Sequence, residues 1–146
     1  MTNIIEIKNL SFSYNKDNII FNNLSLNIKK GKITTILGKN GCGKSTLIKL
    51  LAKNLNYDSG SIKLENKELS NYNLRELASK LSIVYQKNET PKEITVNDMV
   101  SFARLPYQNI LFYKKSKEDI EKVDFALKHT NLTEYKEKYV SELSGG

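Results

Sequence analysis

The sequence has few residues that could hold a disulfide or a metal cluster, and it has no long apolar run. Its one cysteine, Cys42, excludes an internal disulfide and a cysteine-cluster metal site. No stretch reaches the roughly 20 apolar residues that cross a membrane. The first residues, Met-Thr-Asn-Ile-Ile-Glu, lack the basic start and the apolar core of a signal peptide. We therefore expect a soluble, cytoplasmic protein.

Arginine is also scarce, although the formal net charge is +7. Only Arg75 and Arg104 are arginines, and arginine reads phosphates and bases better than lysine does. Because the lysines are dispersed along the chain, no nucleic-acid partner is expected. The positive charge is expected to serve anionic ligands and lipid head groups instead. With 39% apolar and 27% charged residues, the composition is that of a globular protein.

The segment 38–45 fits the phosphate-loop pattern G-x-x-x-x-G-K-[ST]. Its three glycines allow a tight turn that brings backbone N–H groups close to a polyphosphate. The lysine is the cation for the β- and γ-phosphates, the serine hydroxyl can hold a bridging Mg²⁺, and the next threonine adds a hydroxyl beside the α-phosphate. The residues predicted to bind the phosphates are Gly38, Asn40, Gly41, Cys42, Gly43, Lys44, Ser45 and Thr46.

The surroundings of this loop decide between a phosphate site and a chance glycine-rich turn. Residues 32–37 are a β-branched run that predicts a buried strand. Residues 46–52 predict a helix with Leu47, Ile48 and Leu51 on one face. Strand, glycine loop and helix are the arrangement that a phosphate loop requires, so the pattern favours a true site.

Alternating and helical periodicities predict a mixed α/β fold. Strands are predicted at 4–14, 19–21, 24–28 and 61–64, and a buried-type strand at 81–85. Helices are predicted at 73–80, with Leu74, Leu77 and Ala78 facing inward, at 95–104, and after Ser116, with Ile120, Val123 and Leu127 facing inward. Thr95 with Asp98, and Ser116 with Asp119, have capping-box spacing. His129 is interpreted as a helix-surface residue.

The character of the chain changes after Gln86, where strands stop and helices take over. The chain ends Leu143-Ser144-Gly145-Gly146, far downstream of the phosphate loop. Together these features resemble the ATP-binding cassette (ABC) family of transporter ATPases, over the whole chain. Residues 38–45 match its Walker A motif, Gln86 matches its Q-loop, and the last four residues match the start of its signature motif. Tyr14 falls where the family stacks an aromatic ring on adenine.

The resemblance implies a P-loop NTPase fold, with an ABC ATPase core, an antiparallel β subdomain and a partial α-helical subdomain. Residues 1–86 would be the nucleotide-binding core and 87–146 the helical subdomain. ATP and Mg²⁺ would be the cofactors, with Lys44 and Gln86 catalytic and with Ser45 and Gln86 at the metal. In a head-to-tail homodimer, the residues that touch the partner's nucleotide would be Ser144, Gly145 and Gly146.

One stretch narrows the resemblance within the family. Residues 95–100 followed by Ala-Arg-Leu-Pro-Tyr at 103–107 look like importers of the iron-siderophore, haem or cobalamin type. The implied partners are transmembrane permease subunits, at the cytoplasmic face of the membrane. Tyr107, Phe112 and Tyr113 either contact such a permease or pack within the helical subdomain, since aromatic residues are common in cores.

The sequence stops inside the signature motif, and the family's Walker B strand, catalytic glutamate and switch histidine are not in it. We therefore expect an N-terminal fragment or truncated product of a longer ATPase that binds ATP without hydrolysing it and leaves residues 33–37 uncovered. A soluble ABC protein acting on ribosomes or DNA, and a remnant that only binds ATP, are the alternatives. A P-loop kinase or GTPase would have no role for Gln86 or for Leu-Ser-Gly-Gly. The transported substrate cannot be read from this sequence.

Overall fold

A four-stranded antiparallel sheet is formed by strands from the first half of the chain. In the computed structural model, which describes residues 2–85, 93–108 and 115–143, the strand order is β2-β1-β3-β4. Ile7 of β1 pairs with Leu26 on one side and with Ile62 on the other. The strands are β1 (Asn3–Ser13), β2 (Ile19–Lys29), β3 (Ser59–Leu64) and β4 (Lys67–Glu68).

An irregularity in β1 keeps its apolar side chains on the core face. Ile7 and Leu10 are both buried although strict alternation would put them on opposite faces. The pairing register shifts between them, and Asn9 adopts a left-handed φ of 49°. Gly60 of β3 lies against this bulge with a φ of +100°, and a Cβ there would approach Asn9 O to 2.5 Å. A side chain at position 60 would therefore push β3 away from β1.

Two helices complete the first compact unit, Met1–Ile83. They are α1 (Lys44–Leu51) and α2 (Leu74–Lys80). Leu47 and Leu50 of α1 and Leu77 of α2 join the buried side chains of the sheet in one hydrophobic core. Burying a side chain of this size stabilises the fold by about 1.5–3 kcal/mol. The other buried members are Ile5, Ile7, Leu10, Phe12, Phe21, Ile62, Leu64, Leu69 and Tyr72.

The second unit, Val84–Gly146, is helical in its described part. Its helices are α3 (Val96–Phe102) and α4 (Lys117–His129), and its buried core is Val96, Val123 and Leu127. The predicted caps are confirmed: Thr95 accepts from Asp98 N, and Ser116 forms a full capping box with Asp119. In the described part of the chain no helix is both long and apolar enough to cross a membrane.

An ion pair fixes the turn that follows α3. Arg104 Nε donates to Asp119 Oδ1 at 2.8 Å, and this guanidinium lowers the pKa of Asp119 from its ordinary value of 3.8. Burial acts in the opposite direction, and hydrogen bonds from Ser116 add to the lowering. The Arg104 guanidinium also lies 4.2 Å from the centre of the Tyr107 ring. Tyr107 is 54% exposed and is not among the described residues of the helical core.

Two predicted strands are not strands in the structure. Residues 33–39 and 81–85 are irregular, and Ile33, Leu37 and Val84 are 100%, 88% and 90% exposed. Among the described residues no strand pairs with either segment. A buried parallel strand needs a neighbour on each side to satisfy its N–H and C=O groups, so apolar composition alone does not make one. The prediction of a buried strand leading into the phosphate loop is wrong for this structure.

Other predictions were wrong in detail. Residues 19–28 form the single strand β2 rather than two strands, and Asn23 accommodates the irregularity at a φ of 56°. In α1 the predicted Leu47 is buried, but the second buried leucine is Leu50, while Ile48 is 40% exposed. Two residues of other helices that were predicted to face inward are exposed as well, Leu74 at 70% and Ile120 at 49%. Ala78 is exposed as well.

Candidate nucleotide-binding site

The phosphate loop passes directly into α1, as the pattern predicted. Gly43 occupies the N-cap position with a φ of 96° and provides no side-chain cap. A Cβ on this residue would lie 2.6 Å from Ile20 Cγ2 and 2.8 Å from the Phe21 ring. The glycine therefore satisfies two requirements at once, a left-handed backbone and a close approach of the loop to β2.

The Lys44 ammonium lies against the loop itself. Its Nζ donates to Gly38 O at 2.7 Å and to Lys39 O at 2.8 Å, and it is 3.7 Å from Cys42 Sγ. The first residue of α1 is thus joined to the first residues of the loop. This arrangement holds a positive charge at the centre of the turn, where an anion would be attracted.

The N-terminal end of α1 reinforces this positive character. The first turn of the helix has no acidic residue. Its unpaired backbone N–H groups and the helix dipole favour an anion at this end. Ser45 is exposed there, whereas Thr46 is 7% exposed. The loop and the helix start together have the charge and backbone geometry that suit an anion such as a polyphosphate.

Tyr14 stands beside the same helix start. Its Oη lies 3.2 Å from Thr46 Oγ1, and its ring is 49% exposed. Phe12 is buried, with its ring edge-on to Tyr14 at a centroid distance of 5.0 Å and an angle of 83°. Phe12 therefore packs inward beside Tyr14, and the exposed Tyr14 ring is available for stacking.

Several predicted site residues lie outside the described residues. They are Gln86, Ser144, Gly145 and Gly146, together with the aromatic pair Phe112 and Tyr113. The described part of the chain contains no group of three or more His, Cys, Asp or Glu side chains that could hold a metal ion. Of the predicted site residues, the described structure brings together the Walker A residues, through the contacts of Lys44, and Tyr14, through its contact with Thr46.

One contact at this site was not anticipated. Asp58 Oδ2 accepts hydrogen bonds from Ser13 N and Ser13 Oγ, each at 2.8 Å. Ser13 is the last residue of β1 and immediately precedes Tyr14. The two residues are 45 positions apart in the sequence, so local spacing could not have indicated the pair.

Comparison with known sequences identifies the family. Residues 21–146 match the family described as ABC transporter. The chain belongs to the ABC transporter family. Nucleotide binding by this domain, predicted from the phosphate loop, agrees with that membership.

Similar ABC proteins include two import proteins from Bacillus species. Petrobactin import ATP-binding protein FpuD of Bacillus anthracis is 40% identical over 146 residues, covering 100% of this chain and 53% of that protein. Iron(3+)-hydroxamate import ATP-binding protein FhuC of Bacillus subtilis (strain 168) is 35% identical over 144 residues, covering 99% and 53%. The chain thus spans about half the length of these curated relatives.

A solved structure shows the same fold. A nucleotide-free ATP-binding cassette from an ABC transporter matches with a TM-score of 0.79 and 30% identity, covering 99% of this chain and 60% of that chain. The predicted fold class, an α/β P-loop domain of the ABC ATPase type with an antiparallel β subdomain, is confirmed.

Proposed function

We propose that this protein is the ATP-binding subunit of an ABC importer, which couples ATP binding and hydrolysis to uptake of an iron-siderophore class of substrate. The observation that carries the proposal is the phosphate loop at the start of α1, with Lys44 at its centre. The relatives named for petrobactin and iron(3+)-hydroxamate import support the substrate class. They also favour an importer over a soluble ABC protein that acts on ribosomes or DNA.

The residues of the loop have distinct roles in this proposal. Lys44 exchanges its hydrogen bonds to Gly38 O and Lys39 O for the β- and γ-phosphates. The backbone N–H groups of Asn40, Gly41, Cys42 and Gly43 surround the phosphates, and Thr46 supplies a hydroxyl near the α-phosphate. The ring of Tyr14 stacks on adenine. This chemistry relies on positioning and on neutralising charge rather than on a covalent intermediate.

Mg²⁺ belongs to the same proposal. Oxygen ligands suit this ion, and the Ser45 hydroxyl is an exposed oxygen in the first turn of α1 beside Lys44. Gln86 is the second ligand proposed from the resemblance. When bound, the ion neutralises charge on the β- and γ-phosphate oxygens. Lys44 and Gln86 are the catalytic residues that we assign within this chain.

The partners follow from the importer assignment. The protein would lie at the cytoplasmic face of the membrane against permease subunits, with the exposed ring of Tyr107 in the contact surface. A head-to-tail homodimer would place Ser144, Gly145 and Gly146 against the nucleotide held by the partner protomer. In this assignment residues 1–86 bind the nucleotide, and residues 87–146 form the helical subdomain.

The nucleotide site is tested by Lys44→Ala. Loss of a charged hydrogen-bond donor worth about 1.5–3 kcal/mol predicts that ATP affinity falls at least about tenfold. A fluorescent ATP analogue is titrated against the full chain, with Lys39→Ala as a control that removes the same charge from an exposed position of the loop. Equal affinities for the wild type and Lys44→Ala would contradict the assigned role.

Transport is tested separately in cells that lack the gene. The wild-type gene should restore uptake of radioactive iron supplied as a ferric siderophore, and Lys44→Ala should not. Restoration of uptake by Lys44→Ala would contradict the coupling of transport to this site. Uptake that is normal without the gene would contradict the substrate class.

A further inference from the structure

We propose that Asp58 is a positioning residue for nucleotide binding, which holds the Tyr14 ring in place by fixing the end of β1. The inference rests on the proposed stacking of Tyr14 on adenine. It assigns a function to a carboxylate outside the phosphate loop whose hydrogen bonds, among the described residues, come from Ser13.

The geometry forms a clamp at the last residue of β1. Asp58 Oδ2 accepts from both the backbone N–H and the hydroxyl of Ser13 at 2.8 Å. The backbone N–H of Asp58 donates to Ser11 O at 2.9 Å, so this residue is attached to β1 at two positions. Beyond the clamp, Tyr14 N donates to Asn18 O at 3.1 Å as the chain turns toward β2. Tyr14 therefore directly follows the last point at which β1 is held.

The chain needs this clamp because β1 and β3 do not pair regularly there. Their register shifts between Lys8 and Ser11, and Ser11 pairs with Ser59, the residue after Asp58. A carboxylate that accepts two hydrogen bonds restrains both the backbone and the side chain of Ser13. Without it, the end of β1 would be held through its pairing with β2 at Ser13. Tyr14 would then keep its backbone bond to Asn18 and its side-chain contacts with Phe12 and Thr46.

The clamp restrains the part of the site that meets the base, not the part that meets the phosphates. Lys44 and the loop are held by their own hydrogen bonds, which do not involve Asp58. Asp58→Ala is therefore expected to weaken ATP binding by about three- to tenfold, because a less restrained Tyr14 ring loses part of its stacking on the base. Binding of inorganic tripolyphosphate, which has no base, should be unchanged. A general folding defect would weaken both ligands.

Two matched variants separate geometry from charge. Asp58→Asn keeps an oxygen acceptor for Ser13 without the negative charge, so ATP affinity should return to near the wild-type value. Asp17→Ala removes the same charge from the turn after Tyr14, where the carboxylate accepts no hydrogen bond among the described residues. It should leave the ratio of ATP to tripolyphosphate affinity unchanged. If Asp17→Ala lowers this ratio as much as Asp58→Ala does, charge rather than the clamp is responsible and the proposal fails.

The mobility of the ring at position 14 can be measured directly by replacing Tyr14 with tryptophan, because the sequence contains no other tryptophan. The tryptophan fluorescence of the Tyr14→Trp protein is compared with that of the Tyr14→Trp, Asp58→Ala protein. The second protein should show lower fluorescence anisotropy and stronger quenching by acrylamide. In a Tyr14→Ala background, Asp58→Ala should have no further effect on ATP affinity.

The outcomes distinguish this inference from the proposed function. If Tyr14→Ala weakens ATP binding and Asp58→Ala does not, the positioning role is overturned while the stacking role stands. If Tyr14→Ala has no effect, the stacking role fails and this inference fails with it. Unchanged anisotropy in the Asp58→Ala, Tyr14→Trp protein would likewise overturn the clamp.

Discussion

Gly43→Ala is the substitution whose cost the structure predicts most directly. The backbone at Gly43 has a φ of 96°, which alone costs an L-residue about 1–2 kcal/mol. The new Cβ would also lie 2.6 Å from Ile20 Cγ2 and 2.8 Å from the ring of Phe21. Inserting a methyl group into packed surroundings adds about 1–3 kcal/mol. The expected loss in the free energy of unfolding is therefore about 2–5 kcal/mol.

Gly41→Ala is the matched control, because it lies in the same loop at a φ of +82° with nothing within 4 Å of the new Cβ. It carries the backbone cost alone, about 1–2 kcal/mol. Urea unfolding of both variants, followed by circular dichroism, measures the difference. Ile20→Ala combined with Gly43→Ala should recover part of it, since the Ile20 methyl group is one of the two obstacles.

The comparison would refute the reasoning if Gly43→Ala were no more destabilising than Gly41→Ala. The cost would then come from backbone conformation only, and the contact of the loop with β2 would not constrain the site. The steric account also predicts that the double variant loses less free energy of unfolding than the sum of the losses in the two single variants. A larger loss than this sum would contradict it.

Three further predictions concern the ring, the thiol and the ion pair. Tyr14→Ala should weaken ATP binding by about 1–3 kcal/mol and Tyr14→Phe should have little effect, as titration with a fluorescent analogue would show; a large loss with Phe would make the hydroxyl rather than the ring important. Cys42 is exposed and 3.7 Å from the Lys44 ammonium, so saturating Mg-ATP should slow its alkylation, and equal labelling rates would contradict the proposed site. The pKa of Asp119 is lowered in the folded chain by Arg104, so its stabilising contribution is complete above the ordinary value of 3.8 and is lost as the pH falls through the folded pKa. The difference in Tm between the wild type and Asp119→Asn should therefore be constant near neutral pH and shrink in acid, and a difference that grows in acid would contradict the assignment.

Signals that act over a few residues allowed correct predictions. The phosphate-loop pattern placed Gly43 at the start of α1, and the spacing of Ser116 and Asp119 predicted a capping box that the structure contains. These features depend on neighbours within one helical turn, so the sequence nearby carries the information they need. The strand β1 was also predicted, at 4–14 against the observed Asn3–Ser13, because a half-buried strand shows its period in its own residues.

Signals that depend on a distant partner led to errors. Residues 33–37 have the composition of a buried strand, yet they are exposed because no described strand lies beside them. Helical periodicity favoured both Leu74 and Leu77 as inward residues, but the structure buries Leu77 and leaves Leu74 exposed. In α1 periodicity favoured Ile48, whereas the structure buries Leu50. Periodicity identifies a possible apolar stripe, and the element packed against the helix selects which part of it is covered.

The sequence by itself determined the family, the phosphate loop and the helix caps, since each is a pattern of residue types at short, fixed spacings. Only the tertiary structure decided that Gly43 is packed against β2 and that Lys44 donates to carbonyls of the loop. It also decided that Asp58 accepts a hydrogen bond from Ser13, the residue before Tyr14. The Asp58 contact joins residues 45 positions apart, and its geometry depends on how β1 and β3 pair around a bulge. Such pairing is settled by the packing of the whole sheet, which no short segment of sequence encodes.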